Sequence, residues 1–173
     1  IALARKFSGE IVGADSMQIY RHMDIGTAKP TADERAEAIH HLVDVIDPAD
    51  HFDAGRYAHM ADACLIRLHN ANILPFVTGG TGLYIKALLY GLTDAAPCDA
   101  AVRSALQQEL EQNGAHGLYQ RLADVDPHAA ERIHPNDHYR IIRALEVYSI
   151  TGVPMSHSHA DHGFSKCRYR ALQ

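Results

Sequence analysis

The sequence predicts an α/β protein with a parallel sheet, into which a block of helices is inserted. Between residue 10 and about residue 90, short apolar runs typical of buried strands alternate with helical patterns, and such alternation is typical of parallel sheets. After Gly91 the strand patterns stop and only helical patterns follow. We therefore expect an α/β core over residues 1–94, a helical insertion over 95–155, and a loop with a strand that returns to the core over 156–173.

Three strands and two helices make up the predicted core. The strands are placed at 10–14, 43–46 and 73–77, where short apolar runs are bounded by polar or turn-forming residues. A helix is predicted at about 54–70, and another begins near Leu83, directly after a glycine turn. The apolar stripe of the first helix, with helical spacing, consists of Tyr57, Ala61, Cys64, Leu65 and Leu68.

The inserted block contains clear helix boundaries. Asp99 is suited to cap the amino end of a helix, and Asn113 followed by Gly114 is suited to end it. Gly152, with Pro154 beyond it, is suited to end the last helix. The later helices are predicted near 116–123, near 127–133, and from a cap at Asn136 or Asp137 to about Ile150.

The composition argues against a membrane protein and against a disulfide scaffold. Of the 173 residues 47% are hydrophobic, but no apolar run approaches the roughly 20 residues that span a bilayer. The cysteines at 64, 98 and 167 are widely spaced and form no CxxC motif, which favours a reducing compartment. These features favour a cytoplasmic protein without a membrane partner, and we also expect it to be a monomer.

The net charge of −5 conceals a basic region. Acidic residues concentrate in 33–53 and 109–126, whereas 132–143 carries arginines and histidines with Asp137 as its only acidic residue. A local basic face, rather than the total charge, determines contact with a phosphate backbone. This region is therefore either a nucleic-acid contact or a solvated helix face.

A glycine turn joins the third predicted strand to the next helix. The apolar run 73–77 leads to Gly79, Gly80 and Thr81, and the helical pattern begins at Leu83. Glycines let a phosphate approach the backbone closely, and a helix N-terminus supplies free N–H groups. The turn therefore predicts a phosphate site, although the same pattern also occurs as an ordinary turn in α/β folds.

Asp15 directly follows the first predicted strand. In open α/β sheets the active crevice lies at the carboxyl ends of the strands, so this carboxylate is placed to accept a proton or to hold a metal. The alternative is that Asp15 only caps a turn, which aspartates in loops often do.

Three motifs stand out together: ADSMQIY at 14–20 with MDIGTAKP at 23–30, GGTGLY at 79–84, and RIHPND at 132–137 with Arg140 and RALEV at 143–147. Together they resemble the tRNA dimethylallyltransferases, a family also called tRNA isopentenyltransferases. They occur in the family's order and at compatible spacings, and the resemblance extends from about Ile1 to about Thr151. Three long matches in order are far more specific than any one of them.

The resemblance implies a core like that of the P-loop NTPases. Members of the family open with a strand and a phosphate loop of the form GxxxxGK[ST], and no such loop occurs in this sequence. Residues 1–7 are similar to the later half of the helix that follows that loop. We therefore expect a truncated core within an internal fragment of a longer enzyme, inactive by itself. In the complete enzyme the phosphate loop and Mg²⁺ would carry most of the pyrophosphate charge.

The resemblance also implies a reaction and a set of site residues. A dimethylallyl group would pass from dimethylallyl pyrophosphate to N6 of the adenosine that lies 3′ of the anticodon in tRNA. Asp15 would be the general base, and Thr81 would orient the leaving pyrophosphate together with Gly79 and Gly80. The residues expected to contact the anticodon stem-loop are Asp15, Ser16, Met17, Gln18, Arg103, Tyr139, Arg140, Ile141, Ile142 and Arg143.

Other functions remain open from the sequence. An isopentenyltransferase that acts on free adenine nucleotides is one alternative, although the basic helical block favours RNA. A small-molecule kinase of the phosphate-loop class shares the core but does not account for 132–147. A non-catalytic RNA-binding module does not account for Asp15 and Thr81 at strand ends. The histidine-containing stretch 152–163 predicts a loop rather than a zinc site, because it lacks a rigid framework.

Overall fold

The computed structural model describes residues 1–92, 98–157 and 167–169, and the chain divides into two compact units. One unit consists of Ile1–Gly91 with Lys166–Gln173, and the other consists of Leu92–Ser165. Each unit has its own cluster of buried apolar side chains. The assignment of these parts of the chain to catalysis and to tRNA binding stays a prediction.

The first unit contains a parallel sheet of three strands in the order β2-β1-β3. The strands are β1 (Glu10–Gly13), β2 (His40–His41) and β3 (Pro75–Thr78). In the register of β1 with β3, Glu10 lies opposite Pro75 and Gly13 lies opposite Thr78. The parallel sheet that the alternating pattern predicts is therefore confirmed, and the strands that lead to the two candidate motifs are neighbours.

The helices of the first unit are α1 (Ala2–Phe7), α2 (Ala32–Glu37), α3 (Ala54–Asn70) and α4 (Gly82–Tyr90). The prediction for α3 is confirmed at both ends, and Asp53 caps it by accepting a 2.8 Å hydrogen bond from the Arg56 N–H. The predicted stripe faces the core, where the Tyr57 ring stacks on the Tyr84 ring of α4 at 4.4 Å between centroids. This contact joins α3 to the helix that follows the glycine turn.

The predicted strand at 43–46 is wrong. The strand beside β1 is His40–His41, and of the predicted run only Ile46 makes a strand-like bridge, with Tyr20. Leu42 and Asp44 have φ angles of 59° and 57°, a left-handed conformation that interrupts an extended strand. The run is buried because it packs on the core, and the N–H of Val45 donates to the Ile19 carbonyl at 2.9 Å instead of to β1.

Helix α2 is absent from the sequence-based prediction, although its sequence carries a recognisable start signal. The Thr31 side chain accepts from the Glu34 N–H at 3.2 Å, and the Glu34 carboxylate accepts from the Thr31 N–H at 2.8 Å. This reciprocal pair of hydrogen bonds is a capping box. A threonine three residues before a glutamate is the sequence pattern that predicts it.

The second unit is helical, as predicted. Its helices are α5 (Ala100–Val125), α6 (Pro127–Arg132) and α7 (His138–Thr151). Asp99 caps α5, and the chain leaves helical geometry at Gly114, which has a φ of 75°. Asp137 caps α7, and Gly152 ends it in the left-handed conformation with a φ of 71°. The predicted helix boundaries in this block are thus confirmed within a few residues.

Few described residues cover the end of the chain. The predicted return strand, 164–173, lies outside the described residues except for 167–169, which form no strand. The second half of the histidine-containing stretch 152–163 also lies outside them. Arg168 contacts α3 and α4, with its guanidinium 2.7 Å from the Asp62 carboxylate and its N–H donating to the Leu89 carbonyl. In the part of the chain that the structure describes, no helix is long and apolar enough to cross a membrane.

Candidate functional site

The candidate site lies at the carboxyl edge of the sheet in the first unit. Because β1 and β3 are parallel neighbours, the chain leaves both strands at the same edge. Asp15 follows β1 there, and the glycine turn follows β3. Two backbone hydrogen bonds join these segments: the Ala14 N–H donates to the Thr78 carbonyl at 2.8 Å, and the Thr81 N–H donates to the Ala14 carbonyl at 3.0 Å. The fold therefore brings together the two motifs that the sequence singled out.

Thr81 occupies the N-cap position of α4, but its hydroxyl does not cap the helix. The Thr81 Oγ1 accepts a 2.8 Å hydrogen bond from the Ser16 N–H and donates one of 3.1 Å to the Ser16 Oγ. The two hydroxyl groups thus lie side by side next to the first turn of α4. A side chain that forms two bonds to the other segment is held in one position rather than swinging freely.

The Asp15 carboxylate is oriented by backbone N–H groups. Its Oδ1 accepts from the N–H of Met17 at 2.8 Å and of Gln18 at 3.1 Å, which is the turn-capping arrangement named above as the alternative. Its Oδ2 lies 3.4 Å from the N–H of Gly80, a long contact that leaves this oxygen able to accept a proton from another donor. Capping therefore uses Oδ1, whereas Oδ2 keeps room for another hydrogen-bond donor.

Gly79 is required by the close approach of the turn to β1. A Cβ at this position would lie 2.2 Å from the Ala14 carbonyl oxygen, which no side chain tolerates without a backbone shift. A Cβ at Gly80 would lie 3.2 Å from the Asp15 Oδ2, whereas a Cβ at Gly82 would meet nothing within 4 Å. The turn is thus tight where it faces Asp15 and open where α4 begins.

The amino end of α4 presents backbone donors beside the two hydroxyls. Gly82 and Leu83 are exposed, and their N–H groups donate to no other residue that the structure describes. Unpaired N–H groups and the positive end of the helix dipole favour a negatively charged ligand at this point. Together with Thr81, they form an arrangement suited to a phosphate group.

Of the residues after Asp15, Met17 is exposed whereas Gln18 is turned toward its own loop. The Gln18 Nε2 donates to the carbonyl oxygens of Thr27 and Ala28, both at 3.0 Å. Met17 has 45% of its surface exposed at the edge of the site. The structure therefore shows Gln18 supporting the loop 21–30, while its predicted contact with RNA stays a prediction.

The buried side chain of Lys29 holds the loop 21–30 in place. Only 4% of its side chain is exposed, and its Nζ donates to the Tyr20 carbonyl at 2.8 Å and to the carboxylates of Asp24 and Asp44, both at 2.7 Å. Burial alone would lower the pKa of Lys29, but the hydrogen bonds and charges of the two carboxylates raise it above its usual value. Asp44 also binds Arg35 at 2.5 Å. Sequence analysis missed Asp44 because it lies inside the run taken for a strand.

In the second unit, two of the predicted RNA-contacting arginines bind one buried carboxylate. Arg103 and Arg143 both donate to the Oε2 of Glu146, at 2.9 and 2.7 Å. Glu146 is fully buried, and its Oε1 accepts from the Asp99 N–H at 3.0 Å. Burial alone would raise the pKa of Glu146, but the bonds from Arg143 and Arg103 hold it below its usual value. Glu146 lies within the third motif, yet its spacing gave no sign of this role.

The remaining predicted contacts of the second unit differ in exposure. Tyr139 is 74% exposed, and the Arg140 side chain is 71% exposed while it pairs with Asp137 at 2.8 Å. Ile141 and Ile142 are buried in the core of this unit. The side chains of Ile141 and Ile142 therefore pack α7 on its own core, and the contact of this stretch with RNA stays a prediction.

The described residues offer few protein ligands for a metal. They contain no group of three or more His, Cys, Asp or Glu side chains that could hold an ion. Magnesium needs only one or two protein oxygens when substrate phosphates complete its shell, and the hydroxyls of Ser16 and Thr81 lie next to the glycine turn. The residues present therefore fit a Mg²⁺ ion that arrives with a pyrophosphate.

Comparison with known proteins agrees with the resemblance. Residues 18–173 match the family model described as IPP transferase. The tRNA dimethylallyltransferase of Desulfosudis oleivorans is 54% identical over 173 residues, which is 100% of this chain and 55% of that protein. The chain spans about half the length of the curated relatives it matches.

Solved structures show the same likeness. The full-length tRNA isopentenylpyrophosphate transferase of Bacillus halodurans is 40% identical with a TM-score of 0.53, covering 88% of this chain and 51% of that one. A eukaryotic dimethylallyltransferase acting on tRNA is 29% identical with a TM-score of 0.77, covering 95% of this chain and 41% of that one. The P-loop-like α/β fold expected for the core is consistent with these neighbours.

Proposed function

Because the chain belongs to the IPP transferase family, we propose that it forms part of the active site of a tRNA-modifying prenyltransferase. The reaction is transfer of a dimethylallyl group from dimethylallyl pyrophosphate to N6 of the adenosine 3′ of the anticodon. The observation that carries the proposal is the meeting of Asp15 and Thr81 at one sheet edge, joined through Ser16. We propose a cytoplasmic monomer as the working form.

Asp15 serves as the general base in this proposal. The N6 nitrogen attacks the allylic carbon, the carbon–oxygen bond to pyrophosphate breaks, and the leaving pyrophosphate takes the electron pair. The nitrogen must lose one proton, and Asp15 accepts it through Oδ2, the oxygen with only a long backbone contact. The bonds from Met17 and Gln18 to Oδ1 keep the carboxylate in the orientation that this transfer requires.

Thr81 and the start of α4 receive the leaving pyrophosphate. The Thr81 hydroxyl, which accepts from the Ser16 N–H and would exchange its bond to the Ser16 Oγ for one to the pyrophosphate, and the N–H groups of Gly82 and Leu83 are donors for its oxygen atoms. Gly79 and Gly80 contribute backbone without side-chain bulk, which lets a phosphate approach. A bound Mg²⁺ would neutralise part of the pyrophosphate charge, with the hydroxyls of Ser16 and Thr81 as its nearest protein oxygens.

The tRNA is recognised by backbone contact and by extrusion of one base. The adenine must leave its stack to reach a carboxylate at a sheet edge, which costs a few kcal/mol. Met17 at the rim offers an exposed apolar side chain for the extruded base. The second unit supplies Arg103, Arg140 and Arg143 for the phosphates of the anticodon stem, and exposed Tyr139 for stacking or hydrogen bonding.

The test is transfer of label from radiolabelled dimethylallyl pyrophosphate. The complete gene product that contains this chain is incubated with Mg²⁺ and unmodified tRNA, and in parallel with AMP and with ATP. Asp15→Asn keeps an acceptor for the Met17 and Gln18 N–H groups but cannot take the proton, so kcat should fall about 10²- to 10⁴-fold. Asp47→Asn is the matched control, because Asp47 caps a similar turn through the Ala49 N–H and should retain activity.

Each alternative function predicts a different result. Label in AMP but not in tRNA would identify a nucleotide prenyltransferase, and phosphate transfer from ATP without prenyl transfer would identify a kinase. Binding of tRNA without any transfer, unchanged by Asp15→Asn, would identify an RNA-binding module. Equal turnover of Asp15→Asn and the unaltered protein would remove Asp15 from the role of base.

A further inference from the structure

Gln18 is hydrogen-bonded both to the Asp15 carboxylate and to the loop 21–30. Its backbone N–H donates to the Asp15 Oδ1 at 3.1 Å. Its side-chain Nε2 donates to the carbonyl oxygens of Thr27 and Ala28, both at 3.0 Å. One residue therefore connects the carboxylate at the sheet edge with a loop that follows it in the chain.

The donors of the Gln18 side chain are used inside the protein. A carboxamide has two N–H donors on one nitrogen, and the carbonyl oxygens of Thr27 and Ala28 accept both. Gln18 is half-buried, so the amide lies between the loop and the segment after Asp15. An RNA base that took a hydrogen bond from this nitrogen would have to replace one to the loop. The arrangement therefore suits a role in holding the protein's own backbone.

The loop 21–30 needs such bonds to keep its shape. His22 and Ala28 have φ angles of 64° and 50°, in the left-handed region that residues other than glycine rarely adopt. Backbone in this region persists only where the surrounding contacts enforce it. Because Ala28 is one of the two residues that the Gln18 amide holds, loss of the amide should let this part of the loop relax.

We propose that the Gln18 side chain is a positioning residue for prenyl transfer, which couples the order of the loop 21–30 to the orientation of Asp15. The inference rests on the proposed function, because it takes Asp15 as the base. While the amide is bonded to the loop, residue 18 is held on both sides and its N–H stays directed at Oδ1. Without the amide, Oδ1 keeps only the Met17 N–H firmly in place. A small displacement of a reacting group lowers the rate of a chemical step steeply.

The decisive variant is Gln18→Met, which keeps the length of the side chain and the backbone N–H but removes both side-chain donors. In the complete gene product we expect the maximal single-turnover rate of prenyl transfer to fall about tenfold. The Kd for tRNA, measured by filter binding, should stay within about twofold of the original value. A contact of the amide with RNA predicts the reverse, weaker tRNA binding with an unchanged maximal rate, and that result would overturn the proposal.

Thr27→Val tests the loop without altering any residue that is bonded to Asp15 through its backbone. The Thr27 Oγ1 is bonded to two carbonyl oxygens of the loop, at 2.9 and 3.1 Å, and valine removes these bonds while it keeps the shape. We expect the maximal rate to fall about threefold, with tRNA affinity unchanged. The matched control is Thr151→Val in the second unit, because the Thr151 Oγ1 is also bonded to two carbonyl oxygens, at 2.7 and 3.2 Å. Equal rates for the two valine variants would show that the order of the loop does not affect the reaction.

A double substitution tests whether Gln18 acts through Asp15. In a protein that already carries Asp15→Asn, Gln18→Met should cause no further loss of rate, because no base remains to be oriented. A further loss as large as that of the single variant would show that Gln18 acts by another route and would contradict the proposal.

The outcomes distinguish failure of this inference from failure of the proposed function. Absence of label in tRNA with the unaltered protein would overturn the proposed function and, with it, the inference. Normal label transfer with an equal maximal rate in Gln18→Met would overturn only the role of Gln18. A lowered thermal midpoint of Gln18→Met with a full rate below that midpoint would assign the amide to stability alone and would also overturn it.

Discussion

The backbone N–H of Ser16 donates a 2.8 Å hydrogen bond to the hydroxyl of Thr81, a residue that lies 65 positions further along the chain. Threonine at the start of a helix commonly caps that helix, but here the hydroxyl serves the neighbouring strand end instead. The bond joins the segment that carries Asp15 to the turn that faces α4. It makes the hydroxyl a common part of both motifs, and the first prediction follows from it.

Thr81→Val should lower kcat for prenyl transfer about 10²-fold, because valine has the same shape but provides no hydroxyl for Ser16 or for a leaving pyrophosphate. Thr81→Ser keeps the hydroxyl and should retain most of the activity. Single-turnover assays with labelled dimethylallyl pyrophosphate measure the chemical step for both variants. Equal rates for valine and threonine would mean that the hydroxyl has no part in the reaction.

Gly79→Ala should destabilise the protein by about 1–3 kcal/mol, since the added Cβ would lie 2.2 Å from the Ala14 carbonyl oxygen and the backbone would have to move. Gly82→Ala is the matched control, because a Cβ there meets nothing within 4 Å. Alanine also costs less entropy than glycine when a helix forms, so the control should unfold at the same or a slightly higher urea concentration. Similar losses for the two variants would contradict the close approach.

Lys29→Met should destabilise the protein by about 1–2 kcal/mol and loosen the loop 21–30, because Asp24 and Asp44 lose their common partner. The estimate lies below that for a fully buried pair, since Asp24 is largely exposed. Asp24→Asn, which removes only the exposed partner, should cost less than about 1 kcal/mol. Urea unfolding measures the stability, and amide hydrogen exchange of residues 21–30 measures the loosening. If Asp24→Asn destabilised the protein as much as Lys29→Met does, the pair of Lys29 with Asp24 and not the pair with Asp44 would supply the stabilisation.

The pKa of Lys29 adds a pH dependence to the same prediction. Because its pKa is raised in the folded protein, the stabilisation is fully present below the unfolded value of about 10.5 and is lost as the pH rises through the folded value. The difference in unfolding free energy between the unaltered protein and Lys29→Met should therefore be constant near pH 7 and shrink in strong alkali. If the difference grew as the pH rose into the alkaline range, folding would lower the pKa of Lys29 instead of raising it, which would contradict the prediction.

Asp126 should make the stability of the second unit sensitive to acid. Burial alone would raise the pKa of this carboxyl, but bonds from Ser156 and from the Ala129 N–H lower it below its usual value. A lowered folded pKa contributes stability above the unfolded value of about 3.8, and that contribution disappears as the pH falls through the folded value. The unfolding free energy of the unaltered protein should therefore fall more steeply below about pH 4 than that of Asp126→Asn. Parallel curves would show that Asp126 does not contribute in this way.

The elements that sequence analysis predicted well are those with local signals. Helix α3 has an apolar stripe and a capping aspartate, and the helices of the second unit begin at aspartates and break at Gly114 or Gly152. Each signal acts within one or two turns of chain, so no distant contact is needed to interpret it. Helix α2 has a local signal of the same kind, because the capping box formed by Thr31 and Glu34 marks its start.

The strand at 43–46 shows where such inference fails. An apolar run is compatible with a strand or with any other buried segment, and the left-handed conformations of Leu42 and Asp44 became visible only in three dimensions. The backbone N–H groups of residues 44–46 donate to carbonyl groups in the segment after Asp15, and no local sequence pattern predicts these hydrogen bonds. Burial was therefore predictable, whereas the partner of each backbone group was not.

The sequence alone determined the family, the helices with local capping signals, the strands that lead to Asp15 and to the glycine turn, and the residue types at the candidate site, because motifs and caps are local and keep their spacing along the chain. Only the tertiary structure decided that Ser16 binds Thr81, that Lys29 joins two carboxylates, and that Glu146 holds two arginines. These are contacts between residues far apart in the chain or on different turns of helix. Their geometry depends on how whole elements pack, and packing is a property of the folded chain rather than of any segment of it.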